Sequence, residues 1–223
     1  MIAQRALILI PAYNEGKAIR SVVKTALEFC SHVLVVDDGS GDDTSHESKQ
    51  AGAILISHVQ NRGKGQAIQT GFNYFLEQKN LEVLVILDAD GQHDPRELPL
   101  FFNAYEKTKS DIILGNRMQN TKDMPIERKI VNHLTSWIVS GLARVRIHDC
   151  QCGYRLMSRK VVSQLELKTS NFDLESEMLI QAGRKGAQVS EVMIQTIYGD
   201  EQSHIRPIVD TIRFIRLIAR NLF

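Results

Sequence analysis

A mostly parallel α/β sheet with helices on both faces is the fold this sequence predicts, and three observations carry the reading. Four short apolar runs, 6–10, 33–36, 53–56 and 83–87, are continuous rather than alternating and rich in aliphatic residues. That is the composition of strands buried on both faces. Helix-like stretches at about 15–30, 42–51 and 64–79 lie between them, the alternation that right-handed crossovers impose on parallel strands. Three of the runs end in polar residues unsuited to a core, and open parallel sheets bind ligands outside the carboxyl ends of their strands.

Taken in order, the first run stops before Pro11, and the second helix opens on Asp42-Asp43-Thr44, good N-cap chemistry. Asp94-Pro95 places a cap and a first-turn proline at the start of a further helix, followed by a fifth strand at 111–114. After Arg117 the rhythm changes. Residues 125–147 read as one long helix or two, and 153–157 and 189–197 as strands around a helix near 174–185. With no Pro-, Gly- or Ser-rich linker and no repeat, 1–206 reads as one domain, with a nucleotide-binding half over 1–117 and an acceptor half over 118–206. The last stretch, 207–223, is an amphipathic helix. Ile208, Ile212, Ile215, Ile218, Ala219, Leu222 and Phe223 share one arc, and Arg213, Arg216 and Arg220 another. It either packs on its own domain with a solvated basic face or lies on a membrane surface.

Bulk properties narrow the function classes. The 223 residues carry a net charge of +1, with 43% hydrophobic and 24% charged residues, as in an ordinary soluble protein. Nothing in that balance draws nucleic acid. No apolar run reaches ~18 residues, so the body does not span a membrane. The three cysteines, Cys30, Cys150 and Cys152, are odd in number and lack zinc-finger spacing, which reads as reduced thiols of a cytoplasmic protein.

The chemistry collects at the strand ends: Pro11-Ala12-Tyr13-Asn14-Glu15, Asp37-Asp38-Gly39-Ser40, and Asp88 through Pro95. In an extended segment Asp88 and Asp90 face the same way, ~6–7 Å apart, and two such carboxylates favour a cation between or beside them. Hard oxygen donors suit Mg²⁺ or Mn²⁺, with Gln92 as a third. Asp94 is better read as the helix cap. Asp37 or Asp38 suits a base or ribose, and the Gly39 and Gly41 turn is tight. Asn61-Arg62-Gly63-Lys64-Gly65 has neither Walker nor GxGxxG spacing, yet Lys64 at a helix N-terminus can face phosphate. Arg117, Arg128, Lys129 and Arg206 are the basic groups of the second half, alongside the segment 198–203.

Together PAYNE (11–15), VVDDGS (35–40), NRGKGQAIQTGF (61–72), DADGQHDP (88–95), GNR (115–117) and QCGYRL (151–156) resemble the inverting glycosyltransferases of family 2 with the GT-A, Rossmann-like fold. Within that family they look most like the dolichol-phosphate mannose synthases and polyprenyl-phosphate sugar transferases. The resemblance implies that Pro11, Tyr13, Glu15, Asp37, Asp38, Lys64, Asp88, Ala89 and Arg206 bind a GDP- or UDP-linked sugar. It implies that Asp88, Asp90 and Gln92 hold Mg²⁺ or Mn²⁺, and that Arg117 and Arg128 grip a polyprenyl phosphate acceptor. Glu201 and Ser203 resemble the family's late loop, although the basic residue, Arg206, follows them here rather than preceding them as in some relatives.

The implied reaction is a single displacement at the sugar C1. The metal stabilises the leaving diphosphate, and an already anionic acceptor needs positioning more than a base. Were the acceptor a hydroxyl, Asp173, Glu175 or Glu177 would be the base candidates, Glu177 foremost. The resemblance also turns 207–223 toward an interfacial helix and the protein toward the cytoplasmic face of a membrane. Rival readings are a same-fold enzyme with a soluble acceptor, a nucleotidyltransferase, and a non-catalytic nucleotide-sugar-binding module. PAYNEG stands where a nucleotidyltransferase carries a Gly-rich basic loop.

Overall fold

The computed structural model describes residues 2–118, 126–167, 173–195, 214 and 216–219, with backbone alone for Glu127, Arg128 and Asp173. In chain order the elements are β1 (Ala6–Ala12), α1 (Ile19–Leu27), β2 (Val33–Asp37), α2 (Thr44–Ala51), β3 (Ile54–Ser57), α3 (Lys64–Glu77), β4 (Val83–Ile86), α4 (Leu98–Thr108), β5 (Ile112–Asn116), α5 (Ile126–Ala143), β6 (Arg155–Ser158), α6 (Arg159–Val162), α7 (Asp173–Arg184) and β7 (Val189–Met193). Short 3-10 turns precede β1 and α4.

The strands form one sheet in the order β3-β2-β1-β4-β6-β5-β7. All neighbours are parallel except β6, which runs antiparallel to both β4 and β5. The carboxyl ends of β1, β2, β4 and β5 therefore share one edge, and β6 begins at that same edge. Strand order reverses between β1 and β4, the position where open α/β sheets form a ligand crevice.

Alternate residues of each strand feed two cores. Leu7, Leu9, Leu34 and Val36 pack under α3, α5 and α7, against Ile68, Phe72, Phe75, Val139 and Met178. Ile8, Ile10, Val33, Val35, Val83 and Val85 pack under α1 and α4, against Ile19, Val23, Phe101 and Phe102. This double burial explains the continuous apolar runs, since a strand covered on both sides has no face to leave polar.

Some boundaries differ from the sequence reading. β1 continues through Pro11 to Ala12. Its ladder with β4 stops at Leu9, so beyond that point only the β2 side is paired and the missing proline N–H interrupts no bond toward β4. β3 is an edge strand, exposed or half-buried along its length, rather than a doubly covered one. α1 begins at Ile19 because the Glu15 carbonyl first closes a turn onto the amides of Ala18 and Ile19. α2 has no side-chain cap at Asp43. Asp42 instead accepts the Thr44 amide at 3.0 Å, an Asx turn just ahead of the helix. Asp94 caps as expected, its carboxylate accepting the Arg96 amide at 2.9 Å. Residues 126–143 form one helix. Most of 207–223 lies outside the described residues. Within it Leu217 is 3% exposed and Phe214 packs against the same core cluster, and neither belongs to the arc read from sequence.

Candidate active site at the strand edge

The loops after β1 and β2 are sewn together. The Asn14 amide donates to Ser40 Oγ at 2.9 Å, and Asn14 Oδ1 accepts the Gly41 amide at 2.9 Å. The Glu15 amide donates to Thr44 Oγ1 at 2.8 Å and the Gly16 amide to Asp42 at 3.0 Å. Polar side chains thus satisfy the backbone of a loop that leaves Tyr13 42% exposed at the crevice mouth, with Pro11 and Ala12 buried beneath it.

Asp37 and Asp38 are almost wholly buried and face inward. Asp37 accepts the Ser40 amide and hydroxyl and the Ser45 hydroxyl. Asp38 accepts the amides of Arg62 and Gly63, the latter at 2.7 Å, and lies 2.6 Å from His58 Nδ1. It therefore ties the end of β2 to the NRGKG turn. Gly39 sits at φ +75, where an added Cβ would meet the Gln60 carbonyl carbon at 2.5 Å. The two acidic residues shape this wall through bonds within the chain.

Asp88 lies just beyond β4 at the centre of a charged row. Lys64 Nζ is 2.8 Å from Asp88 Oδ1 and 2.8 Å from Glu175 Oε1, and Arg155 lies 3.8 Å beyond Glu175. Burial opposes the Asp88 charge, but Lys64 foremost, then His93 and Arg155, outweigh it and hold the carboxyl down at about 2. Burial likewise works against the Lys64 ammonium, and the two carboxylates overcome it and raise its pKa. Lys64 and Asp88 are thus both ionised at neutral pH. His93, 3% exposed between Asp88 and the Tyr154 ring, is pushed down to about 4, first by burial and then by Arg117 and Lys64. It is a neutral imidazole there.

The QCGYRL segment supplies the opposite wall. In the β4–β6 register Ile86 faces Arg155, so two residues further on Asp88 faces Gly153. A Cβ at Gly153 would sit 2.3 Å from Asp88 Oδ2. Arg155, wholly buried, donates to the carbonyls of Cys152 at 2.5 Å and Glu175 at 3.0 Å, joining this segment to α7. Tyr154 stacks on Phe101 with ring centroids 4.2 Å apart. Cys152 is a buried thiol pushed up to about 12 by desolvation.

Asp88-Ala89-Asp90 is not extended: a turn begins at Ala89. Asp90 Oδ1 accepts the Gln92 amide at 2.9 Å, and Ala89 is buried. The parallel pair of carboxylates expected from sequence is thereby bent, with Asp88 turned to Lys64. Among the described residues no cluster of three or more His, Cys, Asp or Glu groups could hold a metal ion. The donors present, Asp90 and Gln92 with Asp88 behind them, are hard oxygens suited to Mg²⁺ or Mn²⁺. Such ions commonly take only one or two protein carboxylates and complete their shell with water and substrate phosphate. The residues fit a cation that arrives with a diphosphate.

Arg117 follows β5 and is fixed from behind. Its Nε and Nη2 donate to Asp149 at 2.7 and 2.9 Å, and its amide donates to the same carboxylate at 3.1 Å. Asp149 is 0% exposed and also accepts Asn132 Nδ2 of α5 at 2.8 Å. Burial disfavours both charges, yet this fork lowers the Asp149 pKa and raises that of Arg117. Arg128 lies in α5 with its side chain outside the described residues, and Arg206 and the segment 198–203 lie wholly outside them. Of the three carboxylates on α7, the structure brings Glu175 to Lys64. Glu177 accepts Gln181 Nε2 at 3.1 Å, and that amide also donates to the Glu166 carbonyl.

The sequence reading did not single out Arg155, Asp149 or Asn132. Arg155 and Asp149 stood within or beside QCGYRL, and their burial as charged residues depends on partners distant in the chain. Asn132 carried no local signal.

Comparison with known proteins gives concordant matches. Residues 7–166 match the family described as Glycosyl transferase family 2. The UDP-N-acetylglucosamine–dolichyl-phosphate N-acetylglucosaminyltransferase of Methanococcus voltae is 33% identical, over 86% of this chain and 85% of that one. The polyprenol monophosphomannose synthase of Mycolicibacterium smegmatis is 32% identical, over 86% and 77% respectively. Among solved structures, glucosyl-3-phosphoglycerate synthase of Mycobacterium tuberculosis with Mn²⁺, UDP and glucosyl-3-phosphoglycerate superposes with a TM-score of 0.74 at 18% identity, covering 98% of this chain and 78% of that one. At that identity the likeness speaks for the fold, a GT-A arrangement.

Proposed function

The chain belongs to glycosyl transferase family 2, and from that premise we propose that it moves a sugar from a GDP- or UDP-linked donor to a polyprenyl phosphate, inverting the anomeric carbon. The observation that carries the reading is the charged row of Lys64, Asp88 and Glu175 beside Asp90, set at the carboxyl edge where β1 and β4 part. Relatives named as dolichyl-, polyprenol- and undecaprenyl-phosphate transferases share 30–33% of their residues with it and support the acceptor class.

In this reading Tyr13, Glu15 and the buried Pro11 line the nucleoside side of the crevice, and Asp37 and Asp38 hold that wall in shape. Ala89 packs the floor, which keeps the turn at Asp90 fixed. A divalent cation held by Asp90 and Gln92, with Asp88 behind, would supply positive charge to the leaving diphosphate. Lys64 holds Asp88 and Glu175 in place and adds a cation beside the diphosphate. Arg117, pre-oriented by its fork onto Asp149, leaves its remaining guanidinium N–H groups for the acceptor phosphate, with Arg128 as its partner in that task. Holding two anions in line supplies most of what this displacement needs, because the phosphate oxygen is already a nucleophile. Glu201, Ser203 and Arg206 are assigned to the donor and 207–223 to the membrane surface; Glu201, Ser203, Arg206 and most of 207–223 lie outside the described residues. The protein then works peripherally, at the cytoplasmic face.

Labelled GDP- and UDP-sugars incubated with undecaprenyl or dolichyl phosphate and Mn²⁺ test the reading. Organic-phase label that disappears with chelator and in Asp90→Ala is expected. Label only in a water-soluble phosphorylated acceptor contradicts it.

A further inference from the structure

His58 is a buried titratable side chain that the proposed reaction does not use. It stands one residue past β3, and its amide donates to the Asp37 carbonyl at 2.8 Å. The β2–β3 register pairs Asp37 with Ser57, so the next step sets His58 beside Asp38. The His58 side chain is 7% exposed and that of Asp38 3%. Nδ1 lies 2.6 Å from Asp38 Oδ1, and Nε2 lies 2.9 Å from Thr70 Oγ1 on α3. A carboxylate only accepts, so Nδ1 carries the hydrogen. In the neutral ring Nε2 is then bare and accepts the Thr70 hydroxyl.

The consequence of this arrangement reaches Lys64. α3 has no capping side chain of its own, because its N-cap is Gly63, at φ +94. Asp38 serves instead from the end of β2, accepting the Gly63 amide at 2.7 Å and the Arg62 amide at 3.0 Å. A negative charge at a helix N-terminus is favourably placed. Lys64 is the first residue of that helix, and its ammonium bridges Asp88 and Glu175. Thr70 lies six residues further on, about 9 Å along the axis. One imidazole thus grips α3 at two heights, at the cap through Asp38 and directly at Thr70. Asp38 is buried, so no water stands ready to replace a donor it loses. Loss of the Nδ1 hydrogen bond would loosen the turn that carries Lys64.

We propose that His58 is a positioning residue for the transfer: through Nδ1 it holds Asp38 onto the Arg62 and Gly63 amides, and so fixes Lys64 against Asp88 beside the donor diphosphate. The anchoring stands on the hydrogen bonds alone. Its effect on rate rests on the proposed sugar transfer, in which Lys64 sets a cation beside the leaving group.

Two substitutions divide the ring. The Asn amide falls near the place of Nδ1 and the Gln amide near that of Nε2, so His58→Asn can still donate to Asp38 and His58→Gln cannot. Transfer from GDP- and UDP-sugars to a short, water-soluble prenyl phosphate is measured in the full chain. In His58→Gln kcat should fall by about 100-fold while the donor KM moves by less than about threefold, and His58→Asn should regain most of the lost kcat. Hydrogen exchange at the Gly63 amide, followed by NMR, should quicken by about tenfold or more in His58→Gln and stay slow in His58→Asn. Nitrogen-15 NMR of the natural protein should show His58 Nδ1 protonated, a result that does not depend on how the variants fold. A bare Nδ1 overturns the proposal, and so does an equal loss of kcat in both variants. Faster Gly63 exchange with kcat unchanged also overturns it. A raised donor KM with kcat and exchange unchanged assigns His58 to direct contact with the nucleotide and overturns it. No transfer by the natural protein from any donor, with Gly63 exchange responding as expected, overturns the enzymatic reading and leaves the anchor standing.

Discussion

At Gly153 a single hydrogen atom decides the shape of the charged row. A methyl group there would be driven into the Asp88 carboxylate, 2.3 Å away, and Asp88 has no free direction because Lys64 holds its other oxygen. Gly153→Ala should therefore cut kcat by about 100-fold, the effect of a displacement of ~1 Å at a reacting centre. Steady-state kinetics with a saturating donor would check this. Unaltered kcat would show that Asp88 does not need its present position.

Asp149 gives a second test at the same scale, with a definite sign. Its carboxyl pKa is lowered in the folded chain by the Arg117 fork and by Asn132, against the cost of burial. The stabilisation it contributes is fully present above about 4, the ordinary carboxyl value, and is lost as pH falls through the lower folded value. The gap in unfolding free energy between the natural protein and Asp149→Asn should hold steady from neutral pH down to about 4 and narrow below it. Urea unfolding across that range measures it, and a gap that widens on acidification would refute the assignment.

Elements owe their positions to contacts that single runs of sequence do not display. Arg159, at the start of α6, donates to the carbonyls of Leu81, Leu76, Phe75 and Gln78 and lies over the Phe75 ring with 4.5 Å to its centroid. It takes up the Leu76 carbonyl at the end of α3 and adds a second donor to the Phe75 and Gln78 carbonyls, which already accept the amides of Gln78 and Leu81. Arg159→Met should cost roughly 2–3 kcal/mol, since hydrogen bonds from a charged donor are worth more than neutral ones. For a chain of this length that is a fall in Tm of roughly 5–10 °C, readable by calorimetry.

The strand and helix sites of the first half were legible in the sequence because apolar runs and caps are local signals, as Asp94 and the β4 run show. The antiparallel β6 was not, because Arg155–Ser158 looks the same in either direction and only its insertion between β4 and β5 fixes its sense. The acidic strand ends were legible as a cluster, while their division of labour was not. Asp38 and Asp88 look alike in sequence, but one accepts amides of the NRGKG turn and the other faces Lys64. Glu177 outranked Glu175 on the sequence reading because both sit in one acidic turn. Helical phase and the reach of Lys64 from α3 bring Glu175 to the row.

For the molecule as a whole, the sheet order places three separate motifs along one edge and sets β6 beside them. Arg117 and Asp149 join that edge to the inner side of α5. No described helix is long and apolar enough to cross a membrane.

The most direct measurement of the central claim is transfer of labelled sugar from a panel of GDP- and UDP-sugars to polyprenyl phosphate in anionic vesicles, with Asp90→Ala and Arg117→Lys beside the natural protein. One donor is expected to give a polyprenyl-phosphate sugar of inverted anomeric configuration. Asp90→Ala should lose activity by about 100-fold or more, as removal of a group that stabilises leaving-group charge does, and Arg117→Lys should mainly raise the KM for the acceptor. A product with retained configuration, or transfer that proceeds at full rate in Asp90→Ala, would contradict it.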